Sequence, residues 1–217
     1  MDTQRVHRLI APRIDTMDHY QIVSNRFQAT IEAIAESVDL LSEPLSHGGE
    51  AISQALLEDR KILACGNGQD AALASLLVSN LLNRFERERP ALPALALATD
   101  SASLTAIARD EGLDEIFSRQ VRALGGTGDI LLCIASEPAP VNLQRAVSAA
   151  HERNMTVIVL STASDARLPG LLVDGDIALV VDCDRHNHVV ELQLMLIHTL
   201  CELIDHNIFG LYDGNTE

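Results

Sequence analysis

Tryptophan is absent from the 217 residues, and aromatic residues make up only 3% of them. A core drawn from this chain is therefore aliphatic, built from Leu, Ile, Val and Ala. Cations are scarce: 16 Lys and Arg stand against 31 Asp and Glu, a formal charge of −15. A surface that acidic disfavours direct contact with nucleic acid or anionic membrane, both of them polyanions, and leaves a basic protein partner open. No run reaches the ~18 apolar residues of a membrane span. The opening MDTQRVHRLIAPRID has no apolar stretch of the kind a signal peptide needs. The four cysteines, Cys65, Cys133, Cys183 and Cys201, include no C-x-x-C pair. They read as buried thiols of a reducing, cytoplasmic compartment.

What is present is a change of period along the chain. Up to residue 58 there is no strand signal, and Ile22, Val23, Phe27, Ile31, Ile34, Ala35, Val38 and Leu41 recur at helical spacing. Ser42-Glu43-Pro44 is expected to break this helix, and Gly48-Gly49 to precede another short one. Residues 1–58 are thus expected to form a helical arm used in oligomerisation. From residue 59 to 217, apolar runs at 61–66, 92–98, 129–135, 155–161 and 176–183 alternate with helical patterns at 70–88, 102–123, 141–152 and 187–208. Uninterrupted apolar strands imply burial on both faces. The expectation is a flavodoxin-like three-layer α/β/α sandwich around a five-stranded parallel sheet. Ligands of such folds sit beyond the carboxyl ends of the strands, here the loops 66–70, 99–103, 135–140 and 161–167.

Four stretches carry a resemblance: Cys65–Gly68 (CGNG), Leu81–Pro90 (LLNRFERERP), Ala98–Asp110 (ATDSASLTAIARD) and Arg122–Leu132 (RALGGTGDILL). By these the chain resembles the SIS (sugar isomerase) domain family, and within it the phosphoheptose isomerases and the DnaA initiator-associating (DiaA) proteins. The resemblance implies homotetramers with sugar-phosphate pockets between subunits. In the isomerases it implies an aldose–ketose shift by proton abstraction next to a carbonyl.

Against that pattern the chain departs at its chemistry. The serine-rich phosphate turn after the third strand becomes Ala135-Ser136-Glu137-Pro138-Ala139-Pro140. Two prolines bring no N–H, and Glu137 sets a carboxylate where a phosphate would lie. Asp70 replaces a family serine after the glycine turn. A carboxylate there accepts only, whether it caps the following helix or occupies the anion site. The resemblance places a catalytic Glu and a metal-binding His at Asn80 and Leu76, and a second His and a Gln at Gln193 and Val190. Neither Leu nor Val ligates a metal, and amides are poor bases. Glu191 matches a family glutamate. Arg167 of the fourth loop is read as a solvated arginine that could also meet an acidic group.

The vestigial sugar pocket is accordingly assigned to Asn67, Gln69, Asp70, Asp100, Ser101, Ser136, Glu137 and Glu191, with Asp100 and Ser101 open to a capping role as well. No catalytic residue, metal ligand or cofactor is assigned, and His186-Asn187-His188 is read as a polar helix entrance rather than a metal site. Ile208 and Phe209, with Leu211, form an apolar tip that packs at a subunit interface or docks a partner protein. The reading that follows is a non-catalytic homotetrameric scaffold resembling the DnaA-associating proteins. The replication initiator DnaA would be its partner and a sugar a possible ligand, with no direct contact to nucleic acid or membrane. The alternative is a phosphoheptose isomerase, or another sugar isomerase, with a rebuilt site.

Overall fold

A computed structural model describes residues 18–183 and 185–210. The N-terminal stretch that reads as lacking a signal peptide, and Leu211 of the apolar tip, lie outside the described residues. The chain divides into two compact units, residues 1–35 and 36–217. Within the first, the helical pattern holds from His19, and Tyr20, Ile22, Val23, Phe27 and Ile31 are exposed.

The second unit is a five-stranded parallel sheet, β1 (Ile62–Cys65), β2 (Ala94–Ala96), β3 (Ile130–Ile134), β4 (Thr156–Thr162) and β5 (Ile177–Val181), in the order β2-β1-β3-β4-β5. This is the flavodoxin-like order, and it reverses direction between β1 and β3. Leu63, Cys65, Leu131, Cys133, Val157 and Val159 point to one face. There they bury against Phe117 and Val121 of α4 (Ser118–Leu124) and its approach, and against Leu143, Ala146, Val147 and Ala150 of α5 (Val141–Glu152). α2 (Gln69–Leu82) and α6 (His186–Phe209) pack against each other and against the sheet. The central strands β1, β3 and β4 are continuous apolar runs because both sides are covered, whereas Leu95 on the edge strand β2 is exposed.

One helix, α1 (His19–Leu57), runs through the position expected to break, with Pro44 inside it. An interior proline removes one helical hydrogen bond and costs ~3 kcal/mol. Leu41, Leu45, Ile52 and Leu56 offset that by forming a continuous buried stripe. Gly48 and Gly49 lie on the same stripe and are not a turn. A Cβ on Gly49 would sit 2.8 Å from Leu203 Cβ of α6, and one on Gly48 would sit 3.5 Å from Leu200. The glycines are the notch that lets α6 approach.

Two further helices end earlier than the pattern suggests. α2 stops at Leu82 because Arg89 donates to the carbonyls of Asn80 (2.7 Å) and Leu81 (2.9 Å), which no longer have helical donors. The stretch 102–123 is α3 (Ser101–Asp110), a 3₁₀ turn (Leu113–Glu115) and α4; Gly112 at φ +96° turns the chain between them. No described helix is long and apolar enough to cross a membrane. Cys65, Cys133 and Cys201 are buried free thiols, as expected, whereas Cys183 is only half-buried.

Candidate functional site

At the β1/β3 reversal the loops leaving the carboxyl ends part and leave an open crevice of ≈ 610 Å³. Its walls come from the N-termini of three helices: Asn67 to Asp70 at α2, Ser136 to Pro140 at α5, and His186 at α6. The glycine turn follows from its geometry. Gly68 sits at φ +56°, and a Cβ on Gly66 would lie 2.6 Å from the Asp70 backbone, so neither position accepts a side chain without strain.

Asp70 does not cap α2. The cap position is Gly68, with no side-chain bond, and Asp70 is one residue inside the helix. Its carboxylate reaches across to the loop after β3, where Oδ2 accepts the Ser136 N–H at 3.1 Å and Oδ1 accepts the Ser136 hydroxyl at 2.6 Å. Both donors that an anion-binding turn would offer at Ser136 are thereby consumed within the protein. Burial holds the Asp70 carboxyl above its ordinary 3.8, and the two Ser136 bonds pull it back. Asn67 and Asn142 exchange amide hydrogen bonds, 3.1 and 3.0 Å, and tie the glycine turn to α5. Gln193 is buried, and its amide donates to the Ala135 carbonyl behind the crevice wall at 3.1 Å.

His186, which reads from sequence as part of a polar helix entrance, is a crevice residue. It opens α6 beyond β5, whose loop was not among the four considered. Gln69 donates to its Nε2, while Nδ1 donates to the Ser136 carbonyl at 3.4 Å and lies 3.9 Å from Glu137 Oε1. Both side chains face solvent in part, His186 42% and Glu137 75% exposed. The crevice therefore combines one buried carboxylate, one open carboxylate and one imidazole, with Pro138 and Pro140 contributing no N–H.

The other expected residues are elsewhere. Glu191 lines a separate groove with Phe85 and His198; five residues along a helix turn it about 140° away from His186. Asp100 lies beyond the edge strand β2, where it caps α3 by accepting from Ala102 N (3.0 Å) and Ser103 N (3.2 Å), with Ser101 opening that helix. Bonding from Ser103 holds the Asp100 carboxyl below 3.8. Arg167 donates to the Ala139 carbonyl at 3.1 Å and braces the β3–α5 loop. Phe209 carries the Arg87 guanidinium over its ring, 5.6 Å from the centroid, beside Ile208 on the last turn of α6.

The SIS-domain family profile matches residues 26–162. The chain belongs to the SIS-domain family. It is 43% identical over 194 residues to a phosphoheptose isomerase of Alkalilimnicola ehrlichii, which covers 89% of this chain and 99% of that one. It is 44% identical to the phosphoheptose isomerase of Halorhodospira halophila, over 89% and 98%. The solved phosphoheptose isomerase of Francisella tularensis superposes with a TM-score of 0.83 at 36% identity, over 88% of this chain and all of that one. That of Neisseria gonorrhoeae superposes at 0.81 and 39% identity, over 87% and 99%.

These relatives overturn the expectation of a non-catalytic scaffold resembling the DnaA-associating proteins. At this identity and near-complete coverage, the similar proteins are enzymes named for isomerisation. The departures at Leu76, Asn80, Val190 and Gln193 are local changes in a chain that otherwise stays similar to these enzymes over nearly its whole length. A family metal ion, however, does not fit the residues present. Leu76 and Val190 are hydrocarbons, Asn80 donates to the Cys201 sulfur at 3.8 Å, and Gln193 is engaged with Ala135. The Cys201 thiol is itself pushed up to about 12 by burial. Among the described residues no group of three or more His, Cys, Asp or Glu is placed to hold a metal.

Proposed function

We propose that the chain is an aldose–ketose sugar isomerase of the phosphoheptose isomerase type, in which His186 and Glu137 handle the protons. The observation that carries this is their approach to 3.9 Å at the mouth of the β1/β3 crevice. An imidazole beside a carboxylate is the pair that general acid–base catalysis needs.

The open-chain sugar lies with its carbonyl carbon and the adjacent hydroxyl-bearing carbon against this pair. One group removes the proton on the carbon next to the carbonyl, and the electron pair left behind forms an enediolate. That proton returns to the former carbonyl carbon, while the neighbouring hydroxyl passes its own proton to the former carbonyl oxygen, so that the first oxygen becomes the new carbonyl and the second a hydroxyl. No oxidant is needed, since the change is internal to the sugar. Gln69, which bonds His186, orients the ring, and the Asp70–Ser136 clasp fixes the loop that carries Glu137.

The test is aldose formation, followed by NMR, from sedoheptulose 7-phosphate, sedoheptulose and fructose with purified protein. The expected result is turnover of at least one, reduced about 100-fold by His186→Gln. No aldose from any of the three sinks the reading.

A further inference from the structure

The isomerase reading leaves one charge beside the crevice unused. Arg167 is exposed on the loop between β4 and the 3₁₀ turn Pro169–Leu171, and its Nη1 donates to the Ala139 carbonyl at 3.1 Å. Ala139 lies between Pro138 and Pro140, both on the crevice wall. The arrangement is fixed from two sides. The Arg167 backbone N–H donates to the buried Asp165 carboxylate at 2.9 Å, and Gln144 Nε2 donates to the same Ala139 carbonyl at 3.0 Å. A guanidinium carries five N–H donors. Among the described residues, no carboxylate and no acceptor besides Ala139 meets those of Arg167. Arg84, Arg89, Arg119, Arg122 and Arg145 each face a carboxylate. With 31 acidic residues to 16 basic ones, such partners are plentiful, and the guanidinium beside the candidate site has none.

We infer that Arg167 is the residue that selects a phosphorylated sugar: its guanidinium takes the phosphate, at the end of the sugar away from the reacting carbons. The inference rests on the isomerase reading for the sugar, and on Arg167 for the phosphate. The turn that would grip an anion is already engaged, since both Ser136 donors go to Asp70, and Pro138 and Pro140 have no N–H. The planar fork of Arg167 stands in for those donors, with two parallel N–H groups for two phosphate oxygens. Glu137 and Ala139 are two residues apart, so at most about 7 Å of chain separates them. The carbonyl end of an open-chain hexose or heptose and its terminal phosphate are separated by a span of the same order. At the reacting end the Glu137 carboxylate repels a phosphate. One end of the crevice thus accepts the phosphate and the other refuses it, and the sugar enters in one direction.

The experiment titrates sedoheptulose 7-phosphate and sedoheptulose, which differ only in the phosphate, calorimetrically into the unmodified protein, Arg167→Met and Arg167→Lys. The unmodified protein is expected to bind the 7-phosphate more tightly. Arg167→Met is expected to cut the ratio of the two affinities about 10- to 100-fold, the loss of a charge-assisted pair of hydrogen bonds. Arg167→Lys keeps the charge without the fork and is expected to retain part of the ratio. Both variants change an exposed loop side chain, and Gln144 still donates to Ala139, so folding is retained. An Arg167 that only braces the loop weakens both sugars alike and leaves the ratio unchanged, and that result overturns the inference. Equal affinities for the two sugars in the unmodified protein, or binding of neither, also overturn it. Each of these outcomes leaves the isomerase reading to its own turnover test. An Arg167-dependent preference for the 7-phosphate in a protein that isomerises no sugar overturns the isomerase reading alone.

Discussion

Asp70 and Ser136 are joined twice: the carboxylate of the first accepts both the backbone N–H and the hydroxyl of the second, at 3.1 and 2.6 Å. The residues are 66 apart in sequence and come from the two loops that part at the sheet's reversal. The clasp closes the base of the crevice and takes up the donors that an anionic ligand would require at that turn.

Removing the hydroxyl leaves a buried carboxylate with one donor. Ser136→Ala is expected to cost about 1.5–3 kcal/mol in urea unfolding, the range for a hydrogen bond to a charged group. In Asp70→Asn the same substitution is expected to cost measurably less, because the acceptor is no longer charged.

The pH dependence follows from the raised Asp70 carboxyl. As pH rises past 3.8 the unfolded chain loses this proton before the folded one does. The Asp70 contribution to stability therefore falls with rising pH and levels off once the native group has also ionised. Stability of the unmodified protein minus that of Asp70→Asn, measured across this window, is expected to decline and then flatten. A difference that rises contradicts the assignment.

Gly48 and Gly49 are adjacent but unequal. A methyl on Gly49 meets Leu203 Cβ at 2.8 Å, too close without a shift of α6, so Gly49→Ala is expected to destabilise by about 1–3 kcal/mol. A methyl on Gly48 meets Leu200 at an ordinary 3.5 Å. It also improves helix propensity, so Gly48→Ala is expected to be neutral or to stabilise by up to about 1 kcal/mol. Thermal unfolding of the two variants reads the difference in sign.

Arg89 is 1% exposed, pairs with Asp205 at 2.6 Å and also holds three carbonyls, those of Asn80, Leu81 and Pro90. Arg89→Ala strands a buried carboxylate and frees the end of α2. It is expected to cost about 3–5 kcal/mol. Asp205→Asn leaves the carbonyl bonds in place and is expected to cost less in the same denaturation assay.

Much of this architecture was legible because each strand is an apolar run bounded by polar or glycine-rich loops, so Ile62–Cys65 or Ile130–Ile134 could be placed from pattern alone. Helix ends were less so. The arginine that terminates α2 lies seven residues past Leu82, and nothing local to Pro44 signals that the stripe through Leu41, Leu45 and Ile52 is strong enough to carry the helix onward. Gly48-Gly49 looks like a turn unless its partner α6 is in view. At the site, the glycine turn and the carboxylates of Asp70 and Glu137 were visible. Their partners were not, since Ser136 lies 66 residues from Asp70 and His186 lies 49 from Glu137. His186 also follows β5, outside the loops a phosphate motif directs attention to.

In the proposed reaction His186 and Glu137 move a proton between adjacent sugar carbons in the β1/β3 crevice. Its most direct test is exchange in D₂O, because exchange reports proton abstraction even where the equilibrium yields little net product. Ketose substrates incubated with purified protein are expected to gain deuterium at the carbon next to the carbonyl, and to do so about 100-fold more slowly with His186→Gln. Absence of deuterium from every sugar tried, or exchange at an unchanged rate in the His186 variant, would contradict it.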